Sequence, residues 1–351
     1  MKKITVTASK TYDISIGTDI LDRVGSYIRQ AVGGNVAAVI TDDIVAGLYG
    51  QRLTNALADS GYRVITHVIP NGESSKTPEN FFAILNLLAQ EKLSRTDVVV
   101  ALGGGVVGDL AGFAAACYMR GVRFVQIPTT LLAAIDSSVG GKTAVNLHAG
   151  KNLAGAFYQP DAVLCDVSLL STLRPEVFAD GCAEVIKYGV IASRELFELI
   201  KSPIRDNLDD VIARCVEIKR DIVNEDERET GVRKLLNYGH TVGHAIETLS
   251  NYRISHGHAV AIGMAIEARA AVKMNLCAPE YLDELLKMLR LYNLPESTDY
   301  SASDLTNICL SDKKRDGEKL TMIFPVEIGK CVLKKISVSD LQTVIQQGLE
   351  L

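Results

Sequence analysis

The sequence predicts an α/β N-terminal domain on a parallel, Rossmann-like sheet, followed by a mainly α-helical C-terminal domain. Three observations carry this. Up to about residue 166, short β-branched runs alternate with helical patterns, the rhythm of a parallel sheet with helices on its faces. Beyond that point long helical periodicities follow one another and strand signals nearly vanish until residue 320. The run Gly103-Gly104-Gly105-Val106-Val107-Gly108 sits between a strongly apolar strand and a helix, at the point where open α/β sheets bind ligands. The expected domains are residues 1–166 and 167–351, with the functional site where the two meet.

In chain order, Ile4–Thr7 and Asp13–Ile16 read as paired short strands and Asp19–Ala31 as a helix. Val36–Ile40 is a buried-type strand, Val45–Ser60 a helix, Arg63–Ile69 a strand and Pro78–Glu91 a helix. Val98–Leu102 is the next strand, then the glycine turn, a helix over Leu110–Met119 and the strand Phe124–Ile127. The second half reads as helices over Glu176–Ile191, Leu208–Glu225, Val232–Leu249, His256–Met274 and Pro279–Leu291, then strands Leu320–Phe324 and Cys331–Leu333. No repeat period or low-complexity segment interrupts this.

A formal net charge of -5 supplies no overall basic field, so nucleic acid is not an expected partner. Lys313-Lys314-Arg315 is too short a basic run to change that. The seven cysteines are scattered, odd in number and without a CxxC pair, which fits a reduced setting better than a disulfide framework. Neither a signal peptide nor a membrane-spanning run is legible, so a soluble, cytoplasmic protein without a membrane partner is expected.

The densest chemistry lies in Leu236-Asn237-Tyr238-Gly239-His240-Thr241-Val242-Gly243-His244, followed by His256-Gly257-His258: four of six histidines. On a helix His240 and His244 share a face, and spacing alone makes both of them ligands of a divalent cation, with a third imidazole after the turn. Two histidines and a carboxylate with open positions is a catalytic zinc composition, and the absence of HExxH excludes the usual zinc-protease arrangement. Glu184 and Lys187 share a helix face. They read either as a surface ion pair or as a ligating carboxylate beside a substrate-binding ammonium. The glycine run reads either as a phosphate cradle at a helix N-terminus or as a tight turn, because no acidic residue follows about twenty positions on. Gly140-Gly141-Lys142-Thr143 is not a P-loop, since Asp136 stands where its first glycine belongs. Lys142 and Lys151-Asn152 remain candidate anion contacts or plain surface residues.

In this order and spacing, these segments, with Pro128-Thr129-Thr130-Leu131-Leu132, Ala183 through Gly189 and Asp312-Lys313-Lys314, resemble the 3-dehydroquinate synthase family from the N-terminal strands to about Lys330. The resemblance implies NAD and Zn2+ (or Co2+) as cofactors and Glu184, His240 and His256 as metal ligands. It moves His244 from ligand to a residue that contacts substrate and helps proton transfer. It implies NAD contacts at Asp42, Glu73, Lys76, Gly104, Gly105, Asp109, Thr129 and Thr130. Lys142, Lys187, Arg233, Asn237 and His244 take catalytic roles. Arg120, Asp136, Lys151, Asn152, Lys219 and Lys314 bind substrate.

The implied substrate is a phosphorylated sugar acid, 3-deoxy-D-arabino-heptulosonate 7-phosphate, whose two anionic groups account for the many Lys and Arg side chains. A homodimer is implied as well. One departure stands out: position 258 is His where Glu is expected in many relatives, placing another imidazole near the metal. Ala134, where Gln is frequent, is a minor one. The competing readings are another sugar-phosphate cyclase such as 2-deoxy-scyllo-inosose synthase, a metal-dependent polyol dehydrogenase, and a non-catalytic NAD- or metal-binding module.

Overall fold

The structure is a computed structural model describing residues 1–311, 315–316 and 319–350. It divides into two compact units, Met1–Leu173 with Lys219–Arg228, and Arg174–Ile218 with Glu229–Leu351. Lys219–Arg228, beyond the expected boundary, thus belongs to the first unit.

The first unit is built on a seven-stranded sheet. In chain order its strands are β1 (Lys2–Thr7), β2 (Thr11–Gly17), β3 (Val36–Asp42), β4 (Arg63–Ile69), β5 (Val98–Gly103) and β6 (Arg123–Pro128). The hairpin β7 (Lys142–Leu147) and β8 (Gly150–Phe157) then precedes β9 (Ala162–Asp166). The spatial order is β1-β2-β9-β6-β5-β3-β4. Every pairing is parallel except that of β1 with β2. The strand β5 is buried at every position, as a strand covered on both faces must be. Val98, Val100 and Leu102 pack into one apolar layer and Val99 and Ala101 into the other, because successive side chains point to opposite faces.

From β3 the chain runs outward to β4 and returns to the other side of β3 as β5. That reversal makes a switch point, the kind of place where open α/β sheets take ligands, and Asp42 and the glycine run stand there at the carboxyl ends of β3 and β5. The helix after the glycines begins at Gly105, five residues before the expected start, and ends at Cys117. It lies close on its neighbours: a Cβ at Gly112 would meet Thr143 Cγ2 at 2.5 Å. Met119 and Arg120, beyond its end, are left-handed. The helix expected over Asp19–Ala31 is a 3-10 turn and the helix Val24–Val32, and that expected over Val45–Ser60 regularises only at Gln51–Asp59. The segment Lys219–Arg228 is tied down at several points. Asn224 accepts from Thr7 N (2.9 Å), and Glu227 accepts from Ser9 N (2.9 Å) and from Gln159 Nε2 (2.8 Å).

The second unit is mainly helical, with a small antiparallel sheet of β10 (Arg315–Asp316), β11 (Lys319–Glu327) and β12 (Lys330–Ser337). The Ala- and Gly-rich helix His256–Lys273 is buried along most of its length. The single helix expected over Val232–Leu249 is instead a 3-10 segment, Val232–Asn237, and the helix His240–Leu249. Gly239 separates them at φ 76, where a Cβ would lie 2.7 Å from the Val260 carbonyl. The helix Leu208–Glu225 begins in the second unit and ends in the first. Among the described residues no helix is long and apolar enough to cross a membrane.

Candidate active site

Glu184 lies at the middle of the helix Pro175–Ala192, 0% exposed, with Lys187 1% exposed three residues on. This overturns the surface ion-pair reading, because an ionised pair that deep requires compensation from its surroundings. One oxygen of Glu184 contacts Lys187 Nζ. The other lies 3.3 Å from His240 Nε2 and 3.3 Å from His256 Nε2. Both oxygens are buried, and among the described residues neither meets a donor at good hydrogen-bonding angles. Burial alone would raise the Glu184 pKa, but Lys187 and the imidazoles hold it well below the ordinary value, so the carboxylate stays charged.

Each imidazole is oriented from behind. His240, first residue of its helix, places Nδ1 3.1 Å from the Tyr238 carbonyl, which fixes the proton there and leaves the Nε2 lone pair facing Glu184. Burial pulls its pKa down, towards the neutral form a ligand needs. His256 sets Nδ1 3.3 Å from Glu247 and Nε2 towards Glu184. Burial opposes its protonation, yet the two carboxylates push its pKa up to about 10. The carboxylates that attract this proton also attract a divalent cation, which has to displace the proton to bind. Glu184, His240 and His256 can each direct one ligand atom to a common point. A buried carboxylate oxygen faced by two oriented imidazole nitrogens fits zinc or cobalt chemistry.

His244, one turn beyond His240, has its ring centroid 5.4 Å from that of His240 and 6.0 Å from that of His256. It can form a second possible group with Glu247 and His256. His258 lies outside both groups, with Nδ1 2.8 Å from Asp180. Arg233 is 1% exposed, and the Asn237 amide donates to Glu229 at 2.5 Å.

In the first unit a polar cluster gathers five of the predicted residues. Lys76 Nζ donates to Asp109 at 2.5 Å and to the Asn152 side chain at 2.6 Å. Glu73 accepts from Asn146 Nδ2 at 2.8 Å and lies 3.7 Å from Lys151 Nζ. Burial raises the Asp109 pKa against the pull of Lys76. Gly104 caps the helix Gly105–Cys117, whose first N–H groups suit a phosphate. A Cβ at Gly104 would meet Thr130 Cγ2 at 3.1 Å, and one at Gly105 would meet Ser137 Oγ at 3.0 Å. The Thr129 hydroxyl is buried beside this turn without a hydrogen-bond partner among the described residues. The close-approach glycines and the orphaned hydroxyl fit a dinucleotide. Asp42 stands at the end of neighbouring β3, where it caps the next turn through Ile44 N (3.1 Å) and Val45 N (3.0 Å).

Lys219 Nζ donates to the Asp136 carbonyl at 2.6 Å and contacts its carboxylate, so these two predicted residues are paired. Lys142 opens β7 with its side chain exposed. Arg120 is exposed and left-handed, with no hydrogen bond or ion pair to the polar cluster among the described residues. Lys314 lies outside the described residues. Sequence reasoning missed Glu247 and Asn146. Glu247 was findable, since it falls seven residues after His240 and so on the same helix face.

A family model described as 3-dehydroquinate synthase N-terminal matches residues 66–180, and one described as 3-dehydroquinate synthase C-terminal matches residues 181–315. The 3-dehydroquinate synthase of Caldanaerobacter subterraneus subsp. tengcongensis is 44% identical over 348 residues, covering 96% of this chain and 97% of the relative. Among solved structures, a 2-deoxy-scyllo-inosose synthase complexed with carbaglucose-6-phosphate, NAD+ and Co2+ is similar at a TM-score of 0.88 and 28% identity, covering 99% of this chain and 100% of that one. A 2-epi-5-epi-valiolone synthase from Streptomyces hygroscopicus with NAD+ and Zn2+ bound gives 0.88 at 27%, covering 99% of each chain.

Proposed function

The chain belongs to the 3-dehydroquinate synthase family, and from that membership we infer its reaction. It is a lyase that converts 3-deoxy-D-arabino-heptulosonate 7-phosphate to 3-dehydroquinate and phosphate in the shikimate pathway. The overall course is oxidation, phosphate elimination, reduction, ring opening and intramolecular aldol closure. When bound, NAD supplies a hydride acceptor that is restored within the turnover, and the divalent cation supplies charge that acidifies a substrate hydroxyl.

The chain's own residues bind, orient and polarise. Glu184, His240 and His256 would hold the cation, with the Tyr238 carbonyl and Glu247 keeping the two rings turned towards it. Gly104, Gly105, Thr129, Thr130, Asp109, Lys76, Glu73 and Asp42 would take the dinucleotide at the switch point. Lys142, Lys187, Arg233, Arg120, Lys151, Lys219 and Lys314 would meet the substrate's carboxylate and phosphate as charge-assisted partners, with Asp136, Asn152 and Asn237 completing the pocket. His244 would pass a proton beside the cation. No dedicated carboxylate base is required for the elimination, because the departing phosphate can itself accept the proton. A homodimer and a cytoplasmic setting complete the proposal.

The single observation that carries the metal-dependent reading is the buried Glu184 oxygen 3.3 Å from both imidazole Nε2 atoms. The test is phosphate release from the substrate by purified protein with NAD and Zn2+, with NADH absorbance followed in parallel. Phosphate release without net NADH, abolished by a chelator and restored by Zn2+, is the expected result. Accumulation of NADH on simple polyols without phosphate release would instead indicate a dehydrogenase.

A further inference from the structure

The first turn of the helix His256–Lys273 is capped from another helix. Its own N-cap residue, Ser255, makes no side-chain bond to the helix N–H groups. Asp180 does so in its place. Its Oδ1 accepts from His258 N at 3.1 Å and from Ser255 Oγ at 2.6 Å, and lies 2.8 Å from His258 Nδ1. Because an ionised carboxylate only accepts, His258 Nδ1 is the donor in the last contact. A carboxylate here satisfies a free N–H and complements the positive end of the helix.

Asp180 stands one turn before Glu184 on the helix Pro175–Ala192. At Gly257, the residue after His256, nothing larger than glycine fits: a Cβ there would lie 2.3 Å from both the Asp180 Cα and carbonyl oxygen. The contact therefore fixes the distance between the helix carrying Glu184 and the turn carrying His256. We propose that Asp180 is a positioning residue for the cation site, clamping Ser255 and His258 so that His256 Nε2 meets Glu184. Asp180, Ser255 and His258 all lie outside the groups able to hold the ion. A Glu at 258 would oppose the Asp180 carboxylate, whereas His gives it a donor. The inference rests on the reading of Glu184, His240 and His256 as ligands.

The experiment uses the full-length protein with NAD, stripped by a chelator. It is titrated with Zn2+ against a chromophoric chelator and loaded with Co2+ for its visible spectrum, which reports coordination geometry. Asp180→Ala is expected to weaken Zn2+ binding about 10- to 100-fold, as loss of outer partners of metal ligands does, and to shift the Co2+ bands. Asp180→Asn keeps an acceptor oxygen and is expected to restore most of the affinity and the wild-type spectrum. Ser255→Ala removes one donor and is expected to give a smaller loss of the same sign. It keeps the test decisive if Asp180→Ala does not fold. Wild-type affinity and unchanged Co2+ bands in the variants would overturn the clamp. Wild-type protein that binds neither ion would overturn the ligand reading itself, so the two failures are distinguishable.

Discussion

Glu247 stands directly behind His256, 3.3 Å from its Nδ1, while lying on the helix that His240 opens. One helix therefore supplies both a candidate ligand and the carboxylate that orients another. Glu247→Ala is expected to lower zinc affinity about 10- to 100-fold, the usual cost of losing such a partner. Competition against a chelator measures this, and unchanged affinity would remove Glu247 from the site.

His240→Ala is expected to abolish metal retention and turnover together. Lys142→Ala should impair substrate use at full metal occupancy, because Lys142 lies in the first unit and His240 in the second. Metal content and phosphate release, measured on the same preparations, separate the two effects. Full zinc occupancy in His240→Ala would refute the ligand assignment.

Asp97 predicts an acid-sensitive fold. Buried, its carboxylate would titrate higher, but bonds from Ser94 N (2.8 Å), Ser94 Oγ (2.7 Å), Asn35 N (2.9 Å) and Val36 N (2.8 Å) hold the pKa below 3.8. A depressed carboxylate stabilises the fold fully above its unfolded pKa, and that contribution is lost as pH falls through the folded value. Asp97→Asn should cost about 1–3 kcal/mol at neutral pH, and the gap from wild type should narrow below pH 3.8. Urea unfolding at several pH values tests the sign.

Two glycines should respond oppositely to alanine. At Gly263 a Cβ would lie 1.9 Å from the Gly239 carbonyl oxygen, next to His240. Gly263→Ala is expected to destabilise by at least about 1–3 kcal/mol through overpacking, and to disturb the cation site. Gly47 has nothing within 4 Å of its Cβ position and φ outside the left-handed region. Gly47→Ala should be neutral or stabilising by up to about 1 kcal/mol. Thermal melts of both variants decide it.

The alternating half of the fold was legible because β-branched runs and glycine punctuation mark each strand end. The break at Gly239 was not, since apolar periodicity continues through it and only the approach of Val260 reveals why the helix must restart. The hairpin β7–β8 was hidden by the small and polar residues of Gly150–Phe157. At the site, the clustering of His240, His244 and His256 was visible in the sequence. The residues alone left Glu184 open between a surface ion pair and a ligating carboxylate, and only the family resemblance chose the ligand, because a carboxylate 56 residues before His240 has no local spacing to announce it. His258 was the misleading signal: its neighbour in sequence is His256, but its partner in space is Asp180.

The helix Leu208–Glu225 crosses from one unit to the other, and its end carries Lys219 back to Asp136. In genetic terms the halves are therefore not interchangeable cassettes. A single recombination near residue 173 would draw Lys219, Asn224 and Glu227 from one parent and their docking partners Asp136, Thr7 and Ser9 from the other. Exchanges that carry Lys219–Arg228 together with Met1–Leu173 keep those contacts within one parent, so the unit that is inherited intact is discontinuous in the gene.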